Sequence, residues 1–195
     1  MIEYIQLKVS LKDTVPEIWR RLQVNRKTTF IELHHSIQIA MGWKNSHLFE
    51  FNLDGYRVGT IYENLEDSGR DVLLDAGETL LTDILSMEND RFTYNYDFGD
   101  CWLHEITLEQ LISTEEKVNY PVCLDGALSC PPEDCGGIGG FYNLLKILAD
   151  KKHPEYKETR YWVGRKYNHE VFDLIKTNKQ LKQLKRYINR FNSFN

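Results

Sequence analysis

Residues 94–109 read YNYDFGDCWLHEITLE. Two alternating runs meet here across a reversal of the chain. Phe92, Tyr94, Tyr96 and Phe98 recur at every second position, and Trp102, His104, Ile106 and Leu108 do the same on the far side. A period of two marks a strand with one buried face. The residues between, Asp97-Phe98-Gly99-Asp100, are of the types that turn a chain. The stretch therefore predicts a hairpin with an aromatic inward face. Next, at 120–140, comes YPVCLDGALSCPPEDCGGIGG, in which no period is visible. So long a segment without regular structure is unusual in a compact domain and is often functional. All four cysteines lie between Tyr94 and Gly140.

Working outward, Ile5, Leu7, Val9 and Leu11 alternate with Gln6, Lys8 and Ser10, which predicts a half-buried strand. Asp13–Pro16 predicts a turn, and Ile18, Leu22 and Val24 place a second strand at 18–24. Arg20 shares the phase of these apolar residues. It reads as an edge, bulged or snorkelled position, or as a buried guanidinium paired with a carboxylate of the central stretch. Thr29 and Glu32 have the spacing of a capping box; Phe30, Leu33, Ile37 and Met41 follow at helical spacing, and Gly42 supplies the stop. His34 and His35 are neighbours on this helix, point to different sides, and are expected at the surface or rim. His47, Phe49, Phe51 and Leu53 alternate up to Asp54-Gly55, and Tyr56–Ile61 returns as a second hairpin. Residues 62–77 are polar and predict a surface loop, and Thr82 heads a short helix to Met87.

Downstream, Phe141, Leu144, Leu145 and Leu148 predict a helix after the glycines. Another is expected from His169 to Lys176, capped by Asn168. A last helix from near Asn178 carries Leu181, Leu184, Ile188 and Phe191. The fold class is α+β: a mainly antiparallel sheet of hairpins packed on the 29–41 helix, with C-terminal helices. A β-grasp-like core suits this order. Residues 1–175 are read as one domain, and 176–195 as a basic amphipathic helix packed on it.

The chain has 195 residues, 42% hydrophobic and 27% charged, as in an ordinary globule. No apolar run approaches the ~18 residues that span a bilayer. The start, MIEYIQLKVS, reads as a strand and not a leader. Cytoplasmic location is expected, with four free thiols fitting a reducing compartment and no membrane partner. Net charge is −5. Positions 176–195 hold six basic residues and no acid; the first 175 hold the other 18 basic and all 29 acidic residues, a net of −11. A body so acidic repels a phosphate backbone, which leaves the tail as the surface for a nucleic-acid partner.

PEIWRRLQV, MGWKNSHLFEF, YNYDFGDCWLHEITLE, YPVCLDGALSCPPEDCGG and VFDLI closely resemble the plasmid pRiA4b ORF-3-like family, from about Tyr4 to Leu174. The resemblance implies an α+β domain and no known activity. Many relatives carry a second histidine two after the position of His47, where this chain has Phe49. Some carry a resolvase-like label, which would make the chain a DNA-associated protein of mobile-element origin. No recombinase active site is visible: Ser10 ends a strand, but a turn and another strand follow it.

Four chemistries have residues to carry them. Cys123, Cys130 and Cys135, with His104 and Cys101 nearby, are of zinc-ligand types. Their spacing is not that of common zinc knuckles, and packed thiols are the competing reading. Asp97, Asp100, His104 and Glu105, with Asp125, Glu133 and Asp134, could hold Mg²⁺ in a metal-dependent hydrolase or nuclease. Against this, Asp97 and Asp100 suit turn hydrogen bonds and His104 suits the core. Gly136–Gly140 before a helix could cradle an anion, but Glu133 and Asp134 have the wrong sign. The tail helix could bind nucleic acid or merely present a basic solvent face. The leading expectation is an interaction module for a protein partner. Its working surface is the 94–109 hairpin and the 120–140 loop, with Tyr96, Trp102, Glu133, Asp134, Gly136 and Gly137 in contact.

Overall fold

The computed structural model describes residues 1–61, 72–85, 90–118 and 121–192. Strands β1 (Ile2–Leu11) and β2 (Ile18–Asn25) form the first hairpin, and helix α1 (Phe30–Met41) follows. Then come β3 (Phe49–Leu53), β4 (Tyr56–Gly59), β5 (Val72–Asp75), α2 (Leu81–Ile84), β6 (Arg91–Tyr96), β7 (Trp102–Thr114) and β8 (Val122–Ala127). Four helices close the chain: α3 (Gly137–Ala149), α4 (Tyr156–Val163), α5 (Leu174–Leu181) and α6 (Leu184–Asn192). The strands make one open eight-stranded sheet in the order β5-β4-β3-β6-β7-β1-β2-β8. Every pairing is antiparallel except β4 with β5. The expected α+β class is what the chain adopts, and the central neighbours β1 and β7 run antiparallel.

Alternation decides which face is dry. Ile5, Leu7, Val9, Leu22, Val24, Ile106 and Leu108 are fully buried beneath α1. The opposite face carries polar pairs such as Arg21 Nε to Glu109 Oε2, 2.6 Å. Helix α1 is fixed at both ends by its sequence. Thr29 and Glu32 complete the capping box, and Gly42 ends the helix at φ 89°. Phe30 packs edge-on to Phe51 and Phe92, joining helix to sheet.

Several elements differ from expectation, each for a physical reason. His34 and His35 are both 1% exposed, not at the surface. Helices α5 and α6 lie over α1, so its second side is covered too. Residues 122–127 are not irregular: they pair with β2 as an edge strand. Asn178 on α5 closes that edge, its Oδ1 accepting from Cys123 N–H (2.9 Å) and its Nδ2 donating to Cys123 O (2.8 Å). Helix α5 begins at Leu174, with Asp173 as its cap; Asn168 instead accepts from the Glu170 N–H in a turn. The predicted tail helix is broken between Leu181 and Leu184, both buried. Helix α2 starts at Leu81 with no side-chain cap from Thr82, and its expected extension to Met87 lies outside the described residues. Most of the predicted 62–77 loop does too, though its end forms β5. Nothing in the periodicity announced α4.

Arg20 is buried, 1% exposed, but no carboxylate pairs with it among the described residues. Its Nε donates to Ala40 O (2.8 Å), Nη1 to Trp19 O (2.7 Å) and Ala127 O (2.8 Å), and Nη2 to Leu128 O (2.8 Å). Phe172 stacks on the guanidinium at 3.8 Å. A fork of five donors suits such a carbonyl cradle, which ties β2 to the end of α1 and to the segment after β8. No described helix is long and apolar enough to cross a membrane.

Candidate metal centre

Three segments meet at one end of the sheet: the link from α1 to β3, the β6–β7 turn, and the loop from β8 to α3. Each is bent sharply. Asn45, Asp97, Cys101 and Asp134 have φ of 60°, 59°, 58° and 61°, a left-handed conformation that Asn and Asp tolerate best. The β6–β7 turn is fixed by Asp97, whose Oδ1 accepts the N–H groups of Gly99 (2.9 Å) and Asp100 (3.3 Å). The loop is docked on the turn by Asp100, whose Oδ2 accepts the Gly136 N–H at 3.2 Å. Gly137 lies so close that a Cβ there would stand 2.5 Å from the Asp100 carbonyl oxygen. Glu133 braces the other side. Its Oε1 accepts from the Tyr96 hydroxyl (2.5 Å) and its Oε2 from the Lys44 N–H (3.0 Å). The same Tyr96 oxygen accepts from the Ser46 N–H at 3.0 Å. Burial and then the Glu133 carboxylate push the Tyr96 phenol well up, so it stays a donor. Trp43 stacks on Tyr96 and donates its Nε1–H to Pro131 O at 2.9 Å.

The link carrying His47 rests on a buried polar network. His34 Nε2 and Asn45 Oδ1 are 2.6 Å apart, and the other ring nitrogen of His34 is 2.8 Å from the Tyr94 hydroxyl. Gln38 donates to that hydroxyl (3.0 Å) and accepts from the Asn45 N–H (3.1 Å). The Phe49 ring lies flat on His34, 3.7 Å between centroids. Burial holds His34 neutral, its pKa well below the usual histidine range.

This scaffold brings His47, Asp97 and Asp134 together. His47 Nε2 lies 3.6 Å from Asp97 Oδ2 and 3.1 Å from Asp134 Oδ1. The three donor atoms all lie within 4.8 Å of one another, and no other group of three His, Cys, Asp or Glu among the described residues does this. The His47 nitrogen is shielded from solvent yet has hydrogen-bond geometry to neither carboxylate. Ligands bound at ~2.1 Å to one ion stand roughly 3–3.5 Å apart, so little movement would bring these donors onto a shared cation. One imidazole and two carboxylates is a mixed set for Mn²⁺, Zn²⁺ or Fe²⁺.

Other expected site residues fall elsewhere. The four thiols do not gather. Cys123 and Cys130 are buried, with Cys130 Sγ 3.0 Å from Met41 Sδ, while Cys101 is exposed. Burial pushes the Cys123 thiol up to about 11, and burial with Asp100 and Asp134 nearby pushes Cys135 up to about 12. His104 is fully buried against Trp43 and Tyr94, and burial lowers it to about 4. Trp102 and Tyr96 are wholly buried, so they support the surface and do not form it. Asp100, Gly136 and Gly137 join loop to turn; Asp97, Glu133 and Asp134 remain at the working end. His47 was not among the expected ligands because it starts an alternating run and the second histidine that many relatives carry two residues on is Phe49 here, which weakens a metal reading that needs both.

A family model described as plasmid pRiA4b ORF-3-like protein matches residues 3–176. The chain is similar to the uncharacterized protein y4hQ of Sinorhizobium fredii, 36% identical over 164 residues that span 82% of this chain and 80% of that protein. It is also similar to the crystal structure of a protein of unknown function, MM3350, from Methanosarcina mazei. There the TM-score is 0.81 at 35% identity, covering 90% of this chain and 97% of the other.

Proposed function

The chain belongs to the plasmid pRiA4b ORF-3-like family, which brings no activity with it, and we propose from the geometry that it is a cation-dependent ligand-binding module. Its working surface is the β6–β7 turn and the 131–136 loop, and the cation sits between His47, Asp97 and Asp134. One observation carries this: donors from three separate segments converge within 4.8 Å. Three protein ligands leave coordination positions for a ligand's oxygens. Asp100 and Glu133 hold the surrounding backbone and keep the donors in place.

Equilibrium dialysis of metal-stripped protein against Mn²⁺ and Zn²⁺, with metal analysis, tests it. One ion per chain and a rise in melting temperature with metal concentration are expected. Binding unchanged in Asp97→Asn and His47→Ala would reject the assignment. The open coordination also favours a second reading, a metal-dependent hydrolase in which the ion activates water. Asp97 would serve it and Asp100 would not. Turnover of a phosphodiester that Asp97→Asn abolishes separates catalysis from binding.

A further inference from the structure

A cleft of about 940 Å³ opens beside the cluster, within the usual range for small-molecule sites. Its walls come from the end of α1, the 129–134 loop and the segment from Trp162 to Gln180. Asp134 belongs both to the metal cluster and to the cleft lining. A group bound in the cleft can therefore reach the cation.

The lining has a charge that the chain as a whole does not. Arg20, Lys44, Arg165, Lys166 and Lys176 face three carboxylates, Glu133, Asp134 and Asp173, in a chain of net charge −5. Two of the carboxylates are engaged, Glu133 by Tyr96 and Lys44 N–H and Asp173 by the Lys176 N–H at 2.8 Å, and Asp134 is the one that faces His47 in the cluster. Lys44, Arg165, Lys166 and Lys176 make no ion pair among the described residues. Arg20 has no carboxylate partner either, its donors going to carbonyl oxygens that stabilise but do not neutralise the charge. A concave, low-dielectric wall focuses such a field on an anion. The basic segment is held there, not loose: Arg160 donates to Tyr167 O (2.9 Å), and the Tyr167 hydroxyl donates to Cys130 O (3.1 Å). The cleft also has a flat apolar wall, the indole of Trp162, which is 51% exposed although large.

We propose that this cleft binds a nucleoside phosphate, its phosphate towards Lys44 and the cation at Asp134 and its base against Trp162. The phosphate placement rests on the proposed metal centre; the basic and aromatic walls do not. An anion of this size meets the unpaired cations, and an unpaired ring has an aromatic face to stack on.

Calorimetry with AMP, ribose 5-phosphate and adenosine, in Mn²⁺ and in EDTA, tests it. AMP is expected to bind more tightly than either fragment and to weaken in EDTA. Trp162→Ala should weaken AMP by ~10-fold, as loss of one stacked base does, and leave ribose 5-phosphate unchanged. The exposed pair Arg165→Glu and Lys166→Glu should weaken both phosphates at least as much. Protein that holds Mn²⁺ but binds AMP no better than adenosine would overturn the cleft proposal and leave the metal centre standing. AMP binding that depends on Arg165, Lys166 and Trp162 but not on metal would support the cleft and reject the cation.

Discussion

Replacing Arg20 with methionine keeps the unbranched stem as far as the position of Nε and removes the fork beyond it. Four carbonyl oxygens, of Trp19, Ala40, Ala127 and Leu128, then lose a donor at 2.7 to 2.8 Å. An acceptor left without a partner in the interior costs about 1 kcal/mol at the low end, so the four together cost ~4 kcal/mol. Stacking on Phe172 is lost as well. Against this, the variant no longer buries a cation that has no carboxylate partner, and that relief is worth a share of several kcal/mol. We expect a net loss of about 3 kcal/mol, which is ~6–12 °C in melting temperature for a chain of this length. Urea unfolding followed by far-UV circular dichroism measures it, with the midpoint falling at constant slope. Arg20→Lys should lie between, because an ammonium keeps the charge but cannot span four carbonyls. Since the cradle anchors the segment that leads to Glu133 and Asp134, Arg20→Met should also weaken metal binding. Wild-type stability in Arg20→Met would refute the reasoning, because the carbonyls would then need no guanidinium.

Gly137→Ala places a Cβ 2.5 Å from the Asp100 carbonyl oxygen at φ 65°, so it should cost about 2 kcal/mol and lower metal affinity; paired denaturation and dialysis measurements check both. His35 and His104 are each lowered from 6.5 to about 4 by burial, so the unfolded chain takes up their protons first as pH falls. Stability should be full above pH ~6.5 and decline towards pH ~4, by up to ~3 kcal/mol per histidine, and a His104→Gln variant should show a shallower decline in urea titrations across that range. Asn178→Ala removes two hydrogen bonds from the edge strand β8, for a loss of ~1–2 kcal/mol, and should speed amide exchange at Cys123 without affecting β1.

Local chemistry was legible where a few neighbouring residues decide the outcome. The capping box at Thr29, the stop at Gly42 and the Asp54-Gly55 hairpin all stand as read. So does the β6–β7 hairpin, with Tyr94 opposite His104 and Tyr96 opposite Trp102, except that Phe98, read as part of the inward aromatic face, lies in the turn and is exposed. Long-range effects were not legible. Whether His35 is exposed depends on Tyr187 of α6, about 150 residues later, which no spacing on α1 encodes. β8 escaped notice because it is a short edge strand with a bulge opposite Arg21 and Leu22, so its alternation is broken. Asp97 and Asp134 were visible as candidates because they belong to a cluster of carboxylates near the hairpin, whereas His47 joins them only through the folding of the 43–48 link onto Gln38 and Tyr96. The cysteines misled because a thiol that packs a core and a thiol that binds zinc look alike in a sequence.

Anomalous scattering from a crystal grown or soaked with Mn²⁺ tests the central claim most directly. The account predicts one principal peak, about 2.2 Å from His47 Nε2 and from a carboxylate oxygen of both Asp97 and Asp134, with the 131–136 loop still seated on the β6–β7 turn. A peak among the cysteine sulfurs, or none near His47 at saturating metal, would contradict it.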